Sequence, residues 1–398
     1  MRVLHVITGL GVGGAEQQLR LLLRHLPVHC EVVTLTEPGP VAAGIRADGT
    51  CVTHLGMAGN RDLAALPRLV RHIREGRYDV VHTHLYRACV YGRIAARLAG
   101  VRAVVATEHS LGDTQLEGRP LTRGVRALYL ATERLGTHTV AVSDTVAHRL
   151  HHWGVPAPRV HVVPNGVDAA AFRFDPGARD ALRARLGLAP DHLAVAGVGR
   201  LVAGKRFDAL LDAVAAVDRA HLLLAGDGPE RGALSARARA AGAADRVHLL
   251  GQCPGPGSPG VPQVLAAADV FVSASQEETF GLAVVEALAA GLPALYVTCP
   301  ALEDLPAGAA PGARRVAPPA GALAAALAPL AAAPPLRRPV PAAVAHYDVA
   351  RSARHLTALY RAAVTPPAVP AGPRAEVRTA PPPPRRAHRS ASSRGAHR

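Results

Sequence analysis

Short apolar runs alternate along this chain with stretches whose apolar positions recur at helical spacing. In the first half, residues 3–8, 30–35, 80–84, 103–107, 139–143 and 160–163 predict strands. Residues 16–24, 63–74 and 91–98 predict helices between them. The second half repeats the pattern, with strands expected at 193–198, 222–225, 247–250, 270–273 and 294–297. Runs apolar on both faces suit parallel strands covered by helices. The reading is therefore α/β, with two doubly wound parallel sheets facing across a cleft and ligands held at the carboxyl ends of the strands.

The cluster Pro164-Asn165-Gly166-Val167-Asp168 reads as a turn that carries the chain between the halves. This divides the chain into an N-terminal domain, 1–164, and a C-terminal domain, 165–342. Residues 306–342 are rich in Ala and Pro and carry little chemistry. Helical spacing returns over 343–363, with Tyr347 and Tyr360 on its packing face. Residues 364–398 are Pro, Arg and Ser with few apolar side chains, and a segment of that composition is expected to stay disordered.

Composition narrows the class. At 398 residues and 49% hydrophobic content the chain can bury two large cores. The formal net charge is +15, of which the seven arginines and one glutamate after Ala363 supply +6, leaving +9 for the body. A basic surface suits an anionic nucleotide donor, an anionic acceptor or peripheral contact with an acidic membrane at its inner face. No zinc-finger spacing or aromatic RNA-binding strand occurs, so nucleic acid is not the expected partner. The five cysteines are scattered without a Cys-x-x-Cys pair, which fits a reducing cytoplasm and argues against disulfides or a zinc site. No signal peptide is expected, since the first apolar run is short and meets glycines. The charge-free stretch 316–336 is long enough to span a bilayer, but its prolines make it a helix at 321–330 with flanking loops.

The chemistry concentrates in the second half. Glu278 lies beyond the apolar run 270–274, where a strand should end. Phe280 and Gly281 follow in the loop, then Leu282 opens a helix that carries Glu286 two turns in and stops at Gly291 and Pro293. Two carboxylates near one helix N-terminus can bind hydroxyls while the free helix N–H groups meet a phosphate. The plainer reading is two glutamates on a solvated helix. Upstream, Gly197-Val198-Gly199-Arg200 and Gly204-Lys205-Arg206 follow a strand and open a helix. Arg200 as a fork and Lys205 as a point charge can reach one anion, although a solvated basic loop would look alike.

These segments resemble the donor-sugar and diphosphate motifs of retaining glycosyltransferases of the family 4 type, whose GT-B fold has two Rossmann-like halves. The likeness runs over roughly residues 1–362. It implies a metal-independent transferase moving a hexose-type sugar from a nucleotide diphosphate donor, a UDP-sugar first among them, to an acceptor hydroxyl. No cofactor is implied. Glycolipid, polysaccharide and small-molecule acceptors stay open. By the same likeness Glu278 binds the sugar's distal hydroxyls and Glu286 the ribose. Arg200 and Lys205 then hold the diphosphate and offset charge on the leaving group. The resemblance also implies that the last helix crosses back onto the first domain.

In the first half, Gly13-Gly14-Ala15-Glu16 resembles the family loop that lets donor phosphate and acceptor approach backbone N–H groups. His109, at a strand end, matches a family position facing the donor sugar, and a structural histidine is the alternative. His82 and His84 are candidates to line the acceptor pocket. Three features depart from the family pattern. Pro300 lacks an N–H where the family has a phosphate-binding amide, leaving Ala301 and Leu302 to contribute theirs. Thr279 stands where Gly is common. Residues 254–260 carry no code for the nucleotide base.

Two rival readings remain. Gly9, Gly11 and Gly14 fit the dinucleotide fingerprint, with Glu37 where a ribose-binding acid would sit, which points to an NAD-dependent oxidoreductase. A non-catalytic scaffold that kept the fold is the other.

Overall fold

Strands that are apolar on both faces cannot leave either face in water, and here they assemble into two separate parallel sheets. The computed structural model describes residues 1–59, 62–113, 115–117, 119–253, 259–334 and 336–365. Its first sheet has the spatial order Cys51–His54, His29–Thr34, Arg2–Ile7, Val80–His84, Ala103–Glu108, His138–Ala141 and Val160–Val162, every neighbouring pair parallel. The second has the order Val247–Gly251, Ala220–Ala225, Leu193–Val198, Val270–Ser273, Ala294–Tyr296 and Ala313–Arg315, again parallel throughout.

Both sheets start in the middle, run outward to one edge, then return to build the other side. Strand order therefore reverses beside Arg2–Ile7 in one sheet and beside Leu193–Val198 in the other. At such a point the loops leave in opposite directions and open a crevice at the carboxyl ends. Residues 8–14 and 85–86 rim the first crevice, and residues 199–205 and 274–281 rim the second.

Two edge strands, Cys51–His54 and Ala313–Arg315, escape sequence reading. Each is partly exposed and lacks a continuous apolar run. The expected helix over 343–363 is two helices, Ala342–His346 and Val349–Val364. Asp348 breaks it: its backbone leaves the helical region, at φ −58° and ψ 129°, and its carboxylate accepts from the N–H of Arg351 at 3.2 Å, capping the second helix. That helix lays Ala353, Leu356, Leu359 and Tyr360 against Val3, Val80 and Val105 of the first sheet.

The outgoing and returning segments run side by side. Val167 N–H donates to the Tyr347 carbonyl at 2.7 Å, and Val349 N–H to the Val167 carbonyl at 3.2 Å. Gly166 is needed there, because a Cβ would sit 2.5 Å from the Val349 Cα. Met1–Thr365 is one compact unit. Among the described residues no helix is long and apolar enough to cross a membrane, and the apolar stretch expected at 321–330 is the helix Ala320–Ala331. The expected tail from 366 onward, and residues 254–258 of the segment near the expected base, lie outside the described residues.

Candidate functional site

The second sheet's crevice is built from two back-to-back turns. Strand Leu193–Val198 ends at Gly199, whose φ of 149° only glycine adopts without strain. A Cβ on the neighbouring Gly226 would lie 1.9 Å from the Gly199 carbonyl oxygen, so the two turns touch through backbone alone. Leu201 N–H donates to the Asp227 carbonyl at 2.9 Å and locks them together. The chain then passes a short 3-10 turn, Ala203–Lys205, and Arg206 takes a left-handed conformation at φ 51° before helix Phe207–Ala215. This geometry turns Lys205 toward the adjacent strand end. Its Nζ lies 2.5 Å from Glu278 Oε1, with both side chains largely shielded.

Glu278 sits beyond strand Val270–Ser273, on a loop held from behind by the Ser275 hydroxyl, which donates to the Gly204 carbonyl at 3.4 Å. Gly281 stands at φ 95°, and a Cβ there would meet Cys299 Sγ at 2.5 Å. Both constraints fix where helix Leu282–Ala289 begins. Leu282 is half-buried at that start. The Phe280 ring is not in the crevice: it is buried against Tyr347, with ring centroids 5.0 Å apart. Glu286 is half-buried, and loss of water pushes its pKa up to about 7.

The first half supplies the facing wall. Gly13 caps helix Gly14–Leu23, and the Glu16 carboxylate folds back over it: a Cβ on Gly13 would lie 2.5 Å from Glu16 Oε2. Desolvation raises the Glu16 pKa, while its own backbone N–H and the Arg200 guanidinium of the second half pull it down. Arg200 is exposed. The glycine loop and Arg200 are thus brought together, as are Lys205 and Glu278. In each case a carboxylate faces the cation.

Four hydrogen bonds join the Glu278 loop to the first half. Thr279 Oγ1 donates to the His109 carbonyl at 2.7 Å, and Ser143 Oγ donates to the Thr279 carbonyl at 2.6 Å. Asp113 N–H donates to Glu277 Oε1 at 2.5 Å, and Arg149 Nη1 donates to the Glu278 carbonyl at 3.5 Å. Thr279, which replaces a common Gly, therefore supplies a hydroxyl that ties the halves together. Sequence reasoning missed Ser143 and Arg149. Ser143 carried only the signal of a helix N-cap, a role it also fills, and Arg149 is one arginine among many.

His109 is buried at the end of strand Ala103–Glu108, and burial lowers its pKa to about 4. Its Nε2 pairs with His84 Nδ1 at 3.1 Å. His82 and His84 do not line a pocket. They are fully buried in the sheet, His82 between the Tyr360 hydroxyl at 2.6 Å and the Thr107 hydroxyl at 2.7 Å. The amides expected from Ala301 and Leu302 are also committed elsewhere. Pro300 opens a one-turn helix in which Ala301 N–H donates to the Phe280 carbonyl at 2.8 Å and Leu302 N–H to the Cys299 carbonyl at 2.9 Å. A proline at the first helical position favours that turn, which takes the Leu302 donor while Ala301 holds the Phe280 loop.

Two Rossmann-like sheets facing across such a crevice define the GT-B class of folds, and comparison agrees. The solved structure of Anabaena Alr3699/HepE in complex with UDP and glucose superposes with a TM-score of 0.79 at 21% identity, covering 91% of this chain and all of that one. The model for Glycosyltransferase Family 4 matches residues 12–171, and that for Glycosyl transferases group 1 matches residues 193–332. EpsF of Bacillus subtilis (strain 168) is 30% identical over 308 residues, covering 74% of this chain and 78% of that protein. The chain belongs to the family 4 glycosyltransferases. D-inositol 3-phosphate glycosyltransferase 1 of Catenulispora acidiphila is 33% identical over 276 residues, covering 62% of this chain. The chain spans 64% of that relative's length.

Proposed function

We propose that this protein is a retaining, metal-independent glycosyltransferase that takes a hexose from a nucleotide diphosphate donor, first among them a UDP-sugar. Two pairings carry the reading: Lys205 with Glu278, and Arg200 with Glu16 beside the Gly13–Gly14 turn. Two cations and the N-terminus of helix Gly14–Leu23 form an electropositive seat for a diphosphate. Glu278 and Glu286 supply acceptors for sugar and ribose hydroxyls. Binding replaces each carboxylate–cation pair: the diphosphate takes the cations and the freed carboxylates take hydroxyls. The same cations then stabilise the departing diphosphate. UDP as the nucleotude is supported by the HepE complex, and the reading of an anionic acceptor by the relative named for D-inositol 3-phosphate and by the net charge of +15.

Among the described residues no carboxylate hydrogen-bonds the His109 ring, and the reading adopts the front-face course in which the leaving diphosphate accepts the acceptor's proton. The proposed division is 1–164 for the acceptor side and 165–342 for the donor side. Family membership and the paired, shielded Lys205–Glu278 constellation favour this reading over an oxidoreductase or a scaffold. The test is incubation with UDP- and GDP-sugars and D-inositol 3-phosphate, followed by NMR of the product's anomeric centre. Retention of the donor's anomeric configuration, lost with Glu278→Ala, is expected. An inverted product, or transfer unaffected by Glu278→Ala, would contradict it.

A further inference from the structure

Two loops of the second half meet on one helix of the first. Helix Asp144–Trp153 opens at Ser143, whose hydroxyl accepts from Val146 N–H at 3.2 Å and donates to the Thr279 carbonyl at 2.6 Å. The Asp144 N–H of the same turn donates to Asp304 Oδ2 at 3.0 Å, and the Thr145 hydroxyl donates to Asp304 Oδ1 at 3.5 Å. The first turn of a helix leaves N–H groups without partners inside the helix. Here the side chain that takes one of them stands 160 residues along the chain, in the other half.

Asp304 closes the one-turn helix that Pro300 opens. That turn is bonded to the Glu278 loop, because Ala301 N–H donates to the Phe280 carbonyl at 2.8 Å. It is bonded to the returning segment as well, because the Tyr347 hydroxyl donates to the Ala301 carbonyl at 2.6 Å. The two loops therefore move together, and they bear on helix Asp144–Trp153 at two points, Thr279 and Asp304. One point of contact leaves a pivot, whereas two fix an angle. Fixing the angle between groups on separate halves is what orientation contributes to a reaction.

Neither half needs Asp304 for its own construction. The helix keeps its Ser143 cap without it. The Pro300 turn keeps its own backbone bonds, Leu302 N–H to the Cys299 carbonyl at 2.9 Å and Asp304 N–H to the Pro300 carbonyl at 2.8 Å. What Asp304 adds lies between the halves. A carboxylate at a helix N-terminus makes a charge-assisted bond in a favourable dipole. The like charge of Asp144 beside it offsets part of that gain.

We propose that Asp304 is a positioning residue: it joins the Pro300 turn to helix Asp144–Trp153 and so holds the Glu278 loop in register with the first half. Its kinetic consequence, resting on the proposed sugar transfer, is a crevice kept closed to water while the donor reacts.

The test compares Asp304→Ala and Asp304→Asn in the full chain. Asn keeps an oxygen for the Asp144 N–H, and its amide N–H can donate to the Thr145 hydroxyl. Site-resolved hydrogen exchange without ligand is expected to run about tenfold faster at Asp144 in Asp304→Ala, with residues 147–153 little changed. Asp304→Asn should exchange like wild type. With UDP-glucose and D-inositol 3-phosphate, the ratio of donor hydrolysis to transfer should rise about fivefold in Asp304→Ala and return in Asp304→Asn. That ratio does not depend on how much of the protein is folded. Unchanged exchange at Asp144 in Asp304→Ala overturns the proposal. So does exchange that speeds equally along the whole helix, which would make Asp304 a plain helix support. An Asp304→Asn that behaves as Asp304→Ala overturns it too, as does an unmoved ratio in protein that transfers sugar. Where wild type transfers no sugar, the proposed function fails and the exchange pattern alone decides whether Asp304 joins the halves.

Discussion

Lys205 and Glu278 are each other's partner at 2.5 Å and, in the proposed reading, each the ligand's partner in turn. Removing either leaves the other shielded from water without its counter-charge. Lys205→Ala is expected to cost about 1–2 kcal/mol of stability and at least a hundredfold in transfer. Urea unfolding and initial rates measure the two effects separately. Glu286 makes a different prediction. Its folded pKa of about 7 lies above its ordinary 4.5, so the folded state binds the extra proton. Stability without ligand should therefore be full below about pH 4.5 and decline as pH rises through 7, by on the order of 1–3 kcal/mol. Glu286→Gln cannot ionise, and its unfolding free energy should lose that slope. A wild-type slope retained in Glu286→Gln would show that the titrating group lies elsewhere.

The elements depend on a few positions where backbone must approach backbone. Gly281→Ala meets both a φ of 95° and a contact of 2.5 Å to Cys299 Sγ. It should lower Tm by several degrees, about 2 kcal/mol. Adding Cys299→Ala should recover the steric part and leave the φ cost. At this scale the sequence was legible wherever burial is two-sided. Strands Val80–His84, Leu193–Val198 and Val270–Ser273 match their apolar runs residue for residue. The edge strand Ala313–Arg315 did not show, because one-sided burial leaves no run. The break at Asp348 did not show either, since a capping aspartate inside a helical pattern looks like any polar position. Around the site, the meeting of Lys205 with Glu278 could be anticipated from two strand ends flanking one switch point. The pairing of His84 with His109 could not, because it needs the order in which the strands lie side by side.

The whole molecule adds what neither half contains. The Glu278 loop is fastened to the first half through Thr279, Ser143, Glu277 and Arg149. Arg149 also grips Asp113 with two nitrogens, at 2.7 and 2.9 Å. Arg149→Ala should loosen this seam, lowering kcat about tenfold while Tm moves only a few degrees. Steady-state kinetics beside a melting curve would show whether the two separate. The central claim is that a diphosphate displaces the carboxylates from Arg200 and Lys205. Calorimetric titration of UDP-glucose into wild type, and into the Arg200→Ala, Lys205→Ala variant, tests it most directly. The account predicts saturable heat in wild type, weakened at least a hundredfold in a variant that remains folded. Equal affinity in the two proteins, or no heat from any nucleotide sugar with folded wild type, would contradict it.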